Sequence, residues 1–177
     1  GGRLPRVFVR QVQAQRPHWH HFGRPAATEN DLLPLAALHD VLRSVGLLRL
    51  SNGVLRTTRA AADDLQVVRR LRSWFLPDDG FEAILAGVTV AVLATKGPLP
   101  SAELASTVFP MLGHRWVSDG HPLTAVDVRM SIARSTSVLT GLDLMETSWP
   151  VYRAGPAARA LLPRATALAH LWSGSPG

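Results

Sequence analysis

Two stretches decide the fold when set side by side: Leu42-Arg43-Ser44-Val45-Gly46-Leu47-Leu48-Arg49 and Leu139-Thr140-Gly141-Leu142-Asp143-Leu144-Met145-Glu146. They lie 97 residues apart, and the match continues without a gap. Val54-Leu55-Arg56 falls on Val151-Tyr152-Arg153, Ala60-Ala61 on Ala157-Ala158, and Leu65 on Leu162. Between positions 42 and 65, eight of twenty-four pairs are identical, and most others keep their apolar or polar character. One supersecondary unit is therefore written twice.

Outward from Leu42, the first copy reads as helix, hairpin, helix. Asn30 or Asp31 is expected to cap a helix, with Pro34 in the first turn, where no intrahelical donor is needed. Leu35, Leu38, Leu42 and Val45 form its apolar stripe. Gly46 is placed to end it in a left-handed cap. Leu47–Leu50 and Val54–Thr57 are predicted strands around Asn52-Gly53, a pair that tolerates the positive φ of a tight hairpin. A helix follows from Thr57 or Thr58, and Pro77-Asp78-Asp79-Gly80 breaks it. Upstream, Val7-Phe8-Val9 and Val12 suggest a strand and residues 16–27 a loop.

The second copy has more in front of it. A helix is expected from about Phe81 to Thr95, apolar nearly all round and so central. Ser101 opens another to about Leu112, distorted by Pro110, and a loop spans Gly113 to Pro122. Thr124-Ala125-Val126-Asp127 is a capping-box-like start for a helix with Val128, Ile132, Leu139 and Leu142 on one face. Strands 144–147 and 151–153 flank a Ser148-Trp149-Pro150 turn. A last helical segment is expected from Gly155-Pro156 to near Trp172.

Composition bounds the function. Of 177 residues, 46% are apolar and 18% charged, enough to bury a core. There is no cysteine, which excludes disulfides, thiolate metal sites and cysteine nucleophiles. The longest internal charge-free run, Ala83–Thr95, is too short to span a bilayer. With no signal-peptide pattern either, the expected location is the cytoplasm and no membrane partner is expected. The net charge is +6, and Lys96 is the only lysine beside the arginines. Residues 43–72 carry seven arginines against Asp63 and Asp64, whereas residues 73–150 carry four bases against eight acids. That asymmetry suits an anionic partner on one side of the molecule.

Three helices followed by a two-stranded hairpin, as in Leu139-x-x-Leu142-Asp143-Leu144-Met145-Glu146 and then Tyr152-Arg153-Ala154-Gly155-Pro156, resemble the winged helix-turn-helix superfamily. Leu42-x-x-Val45-Gly46-Leu47-Leu48, then Val54-Leu55-Arg56-Thr57, is similar to the same pattern. The style of the chain also resembles the C-terminal part of poorly characterised actinobacterial-type proteins. The resemblance implies a mainly α fold with small β-hairpin wings, as two winged-helix-like units packed together. Residues 1–30 would be a basic arm or strand, 31–78 an incomplete first unit, and 79–177 a second unit with a C-terminal helix.

That resemblance implies a nucleic-acid-binding module, a transcriptional regulator or the DNA-engaging end of a larger protein, on double-stranded DNA. In such folds a helix enters the major groove and the wing meets phosphates. Arg129, Ser131, Arg134 and Thr136 are the candidate groove-facing residues, Arg49 and Arg56 the candidate wing contacts, and Arg69 and Arg70 candidate backbone contacts. The alternative is a protein-interaction or oligomerisation scaffold without catalysis, with Trp149 at a wing tip as the partner contact. No enzyme, cofactor or metal is expected. His18-Trp19-His20-His21 has zinc-like spacing, but no nearby carboxylate completes a tetrahedral set, although His114 or His121 is a remote candidate. An aromatic loop packed on the core is the other reading of that stretch. Ser118-Asp119-Gly120-His121 holds triad residue types within one loop and reads as a turn.

Overall fold

A computed structural model describes residues 2–20, 23–75, 80–112, 116–118 and 120–158. The expected last helix, with Arg159, Arg164 and Trp172, lies outside them, as do Asp78, Asp79 and the side chain of Phe75. The fold is mainly helical with short antiparallel hairpins. The chain divides into two compact units, Gly1–Leu71 and Arg72–Gly177. Among the described residues no helix is long and apolar enough to cross a membrane.

The first unit opens with helix α1 (Arg6–Gln15), not with a strand or an arm. The Val7-Phe8-Val9 run has strand propensity, but packing overrides it. Val9 is fully buried in a core with Trp19, Ala26, Leu32 and Leu35, and Val12, three residues on, and Leu4 pack against it. The loop after α1 is pinned by Gln13, whose Oε1 accepts the Ala26 N–H at 2.8 Å. Helix α2 (Leu33–Ser44) starts later than a cap at Asn30 or Asp31 implies. A 3-10 turn over Glu29–Asp31 precedes it. There the Asp31 carboxylate accepts the N–H groups of Ala27 and Thr28, at 2.9 and 2.8 Å. The Thr28 and Ala27 bonds, with Arg24 adding a weaker attraction, hold the Asp31 carboxyl below its ordinary range. Strands β1 (Leu48–Ser51) and β2 (Val54–Thr57) form the predicted hairpin around Asn52 and Gly53, both at positive φ. Helix α3 (Asp64–Phe75) follows.

The second unit begins with α4 (Phe81–Lys96), in which every residue from Leu85 to Leu93 is buried. Strand β3 (Leu99–Pro100), α5 (Ser101–Val108) and a 3-10 turn at Pro110 come next. The expected loop after it contains a small hairpin of β4 (Val117–Ser118) and β5 (His121–Pro122), so the triad residue types sit on a turn, with Asp119 outside the described residues. Helix α6 (Ala125–Gly141) is followed by β6 (Met145–Ser148) and β7 (Val151–Ala154). Its sheet has the order β3-β7-β6, and α4 packs on α5, α6 and β7.

The repeat extends to the hydrogen bonds at the helix ends. Each of β1, β2 and the end of α2 lies 97 residues before β6, β7 and the end of α6. The helices close alike: Val45 N–H donates to Val41 O and Leu142 N–H to Val138 O, both at 3.0 Å. Leu47 N–H donates to Leu42 O and Leu144 N–H to Leu139 O, both at 2.9 Å. Gly46 and its counterpart Asp143 both take positive φ, 68° and 54°. The hairpin tips differ, Asn52-Gly53 against Trp149-Pro150.

Candidate nucleic-acid interface

Helix α6 is started by a reciprocal cap. Asp127 N–H donates to Thr124 Oγ1, and the Asp127 carboxylate accepts Thr124 N–H at 2.9 Å and its hydroxyl at 2.6 Å. The Thr124 hydroxyl above all, with its N–H and the Ser118 hydroxyl, holds the Asp127 carboxyl below its ordinary range. A helix so fixed turns Val128, Ile132 and Leu139 into the core. At 100° per residue the opposite arc carries Val126, Arg129, Met130, Ala133 and Arg134, all of them exposed. The two arginines stand at the edges of this arc with the apolar residues between them. Among the described residues neither makes an ion pair. Arg134 also lines a cleft with Glu82 and Ser135.

Ser131 and Thr136 do not belong to that face. Ser131 is buried, at 7% exposure, because α4 and α5 both pack on α6 and widen its inward arc beyond the apolar stripe. Thr136 is half-buried, and its hydroxyl donates to Ile132 O at 3.0 Å, one turn back along the helix.

In the first unit Arg49 and Arg56 stand directly opposite each other on β1 and β2, both exposed and without a carboxylate partner among the described residues. Like charges across a ladder oppose pairing, and an anion seated over them reverses the sign. Arg69 is exposed. Arg70 serves the fold instead, because its Nη1 donates to Val45 O at 2.7 Å, at the carbonyl end of α2. Arg70→Ala is expected to lower the stability of the first unit by about 1 kcal/mol, read by chemical denaturation, and to leave affinity for any polyanion unchanged. In the second hairpin Glu146 faces Arg153 at 3.9 Å, so the two charges offset each other. Trp149 at its tip is 79% exposed.

The chain matches no protein-family model, no curated protein and no solved structure. Its chemistry rests on the residues just described.

Trp19 is buried in the core of the first unit, with the Arg16 guanidinium 5.5 Å from its ring centre. His20 Nδ1 lies 3.1 Å from Gln13 Nε2, and His18 is exposed. His21 and His114 lie outside the described residues, among which no three His, Asp or Glu side chains are grouped to hold a metal. One polar pair has no signal in the sequence. His39 is buried, and its Nδ1 meets the Glu29 carboxylate at 2.7 Å across the start of α2. Ten residues separate the two, so no local pattern marks them.

Proposed function

We propose that this chain is a nucleic-acid-binding module without catalytic chemistry, acting in the cytoplasm on double-stranded DNA. On this reading both units are winged helices, the first lacking part of the fold. In the second, α6 enters the major groove. The order α4, β3, α5, α6, β6, β7, with β3 added to the hairpin, supports it, because that order sets α6 on the surface ahead of a wing. The observation that carries the reading is the outward face of α6, where Arg129 and Arg134, without ion pairs among the described residues, flank Val126, Met130 and Ala133. Guanidinium groups serve base edges and phosphates, and the apolar strip suits thymine methyls. Arg49 and Arg56 offer a phosphate clamp on the hairpin of the first unit.

Retardation of a random duplex at low salt tests this. Binding is expected to weaken steeply with salt, because arginines displace condensed counterions. Arg129→Ala combined with Arg134→Ala is expected to cost about tenfold or more in affinity. It is also expected to flatten the slope against log salt by about one unit for each phosphate left without its arginine. Absence of any retardation at low salt overturns the proposal.

A second reading is favoured by Trp149. An indole this exposed, on a wing whose arginine is paired with Glu146, suits a protein partner or a second copy of the chain better than phosphate. That contact would be insensitive to salt.

A further inference from the structure

The internal repeat extends upstream of the sequence match, and there the two copies part. The capping pairs Thr28–Asp31 and Thr124–Asp127 lie 96 residues apart, as do the buried Leu32 and Val128. At that spacing α1 falls on α5: Val9 on Ala105, both buried, and Phe8 on Leu104. Residues 2–4 fall at β3. Within the first unit, no described residue is left to stand for α4.

The consequence is visible on the surface. In the second unit α4 lies against α5, α6 and β7. The corresponding α1, α2 and β2 of the first unit line a groove of about 620 Å³. Its walls include Leu4, Phe8, Leu38, Leu42, Leu48 and Leu55. Phe8 is 44% exposed where Leu104 is at 0%. Leu42, Leu48 and Leu55 are half-buried, whereas their counterparts Leu139, Met145 and Tyr152 are buried. β3 pairs with β7, but among the described residues the corresponding side of β2 has no strand, since β1 and β2 form a two-stranded sheet. The buried His39 ring also lines the groove, and its Nε2 has no hydrogen-bond partner.

We propose that this groove is the seat for an apolar α-helix of about four turns carried by a partner protein, which completes the first unit as α4 completes the second. The repeat states the occupant's chemistry. The helix presents a continuous apolar surface of the kind Leu85–Leu93 provides. It carries one hydrogen-bonding side chain facing His39, to satisfy His39 Nε2. Arg3 lines the groove near the residues that stand at β3, where α4 ends in the second copy, and a cation there favours a helix C-terminus. A second copy of the chain is a poor occupant, because its own α4 is already buried. The inference stands on the repeat and not on the nucleic-acid reading.

The test titrates the full chain with a synthetic peptide of residues 81–96 carrying added terminal lysines for solubility, followed by amide hydrogen exchange. Saturable binding is expected, with slower exchange in α1, α2 and β2. Phe8→Ala is expected to weaken it about tenfold or more, since a large aromatic anchor is lost from an exposed position. In a second arm, residues 81–98 are fused ahead of Gly1. That fusion is expected to raise the unfolding midpoint of the first unit, and a Phe8→Asp version to lose the gain. Failure of both the peptide and the fusion to slow exchange overturns the proposal. So does self-association that Phe8→Asp abolishes, which would assign the groove to a second copy. Duplex retardation is read separately, so loss of either proposal leaves the other standing.

Discussion

Gly155→Ala is expected to destabilise the second unit by about 3 kcal/mol, a large share of a marginal total. A Cβ at this position would overlap the Asp143 backbone carbonyl oxygen and stand 2.6 Å from its carbon and 2.9 Å from Met145 N. These are backbone atoms, and they are not free to retreat. Asp143 O accepts the Ala157 N–H at 2.9 Å, and Leu144 O accepts the Gly155 N–H at 2.9 Å. The first copy keeps one of these bonds and replaces the other. There Thr58 N–H donates to Leu47 O at 3.0 Å, and the Thr58 hydroxyl donates to Gly46 O at 2.9 Å. A side chain serves in one copy the carbonyl that a backbone N–H serves in the other. Gly155→Thr is therefore expected to be as damaging as Gly155→Ala, although threonine stands at the equivalent site of the repeat. Urea denaturation of both variants checks this. A loss under about 1 kcal/mol would mean that the corner relaxes and that the bonds to Asp143 and Leu144 do not hold it.

What is legible in the sequence follows from how local each signal is. The hairpins and helix ends are readable because Gly46 and Asn52-Gly53 answer steric demands within a few residues. The cap at Thr124 and Asp127 is equally local, and so is the all-round apolar character of α4. Helix α1 reads as a strand because Val7, Phe8 and Val9 have strand propensity, and what decides their state is distant: Trp19, Ala26 and Leu35 bury Val9. A helical signal is present, in the three-residue spacing of Val9 and Val12 among the alternating glutamines Gln11, Gln13 and Gln15. Strand β3 is two residues long and includes a proline, so only its pairing with β7 reveals it. Ser131 reads as part of the outer face of α6 when one apolar stripe is counted, where two helices pack. The cap at Asp143 is open to inference from Gly46 through the repeat, since aspartate tolerates the left-handed region. The groove of the first unit has no signature of its own in the sequence. Its liners read as ordinary core leucines, and only the other copy shows that a helix covers such residues.

The same contrast sets the cost of two equivalent deletions. Leu47 and Leu144 occupy one position of the repeat, both buried, and both follow the left-handed residue that ends their helix. Their backbone bonds are the same, so Leu→Ala at each removes the same atoms from the same local frame. The surroundings differ. Around Leu144 the neighbours Leu139, Met145 and Tyr152 are buried, so the space left has little room to collapse. Around Leu47 the corresponding Leu42, Leu48 and Leu55 border the open groove and have freedom to close in. A cavity that collapses costs less than one that persists. Leu144→Ala is accordingly expected to cost about 4 kcal/mol and Leu47→Ala about 2 kcal/mol. Native-state exchange at amides of β6–β7 and β1–β2 reads each unit separately. Equal costs would place Leu47 in as closed an environment as Leu144.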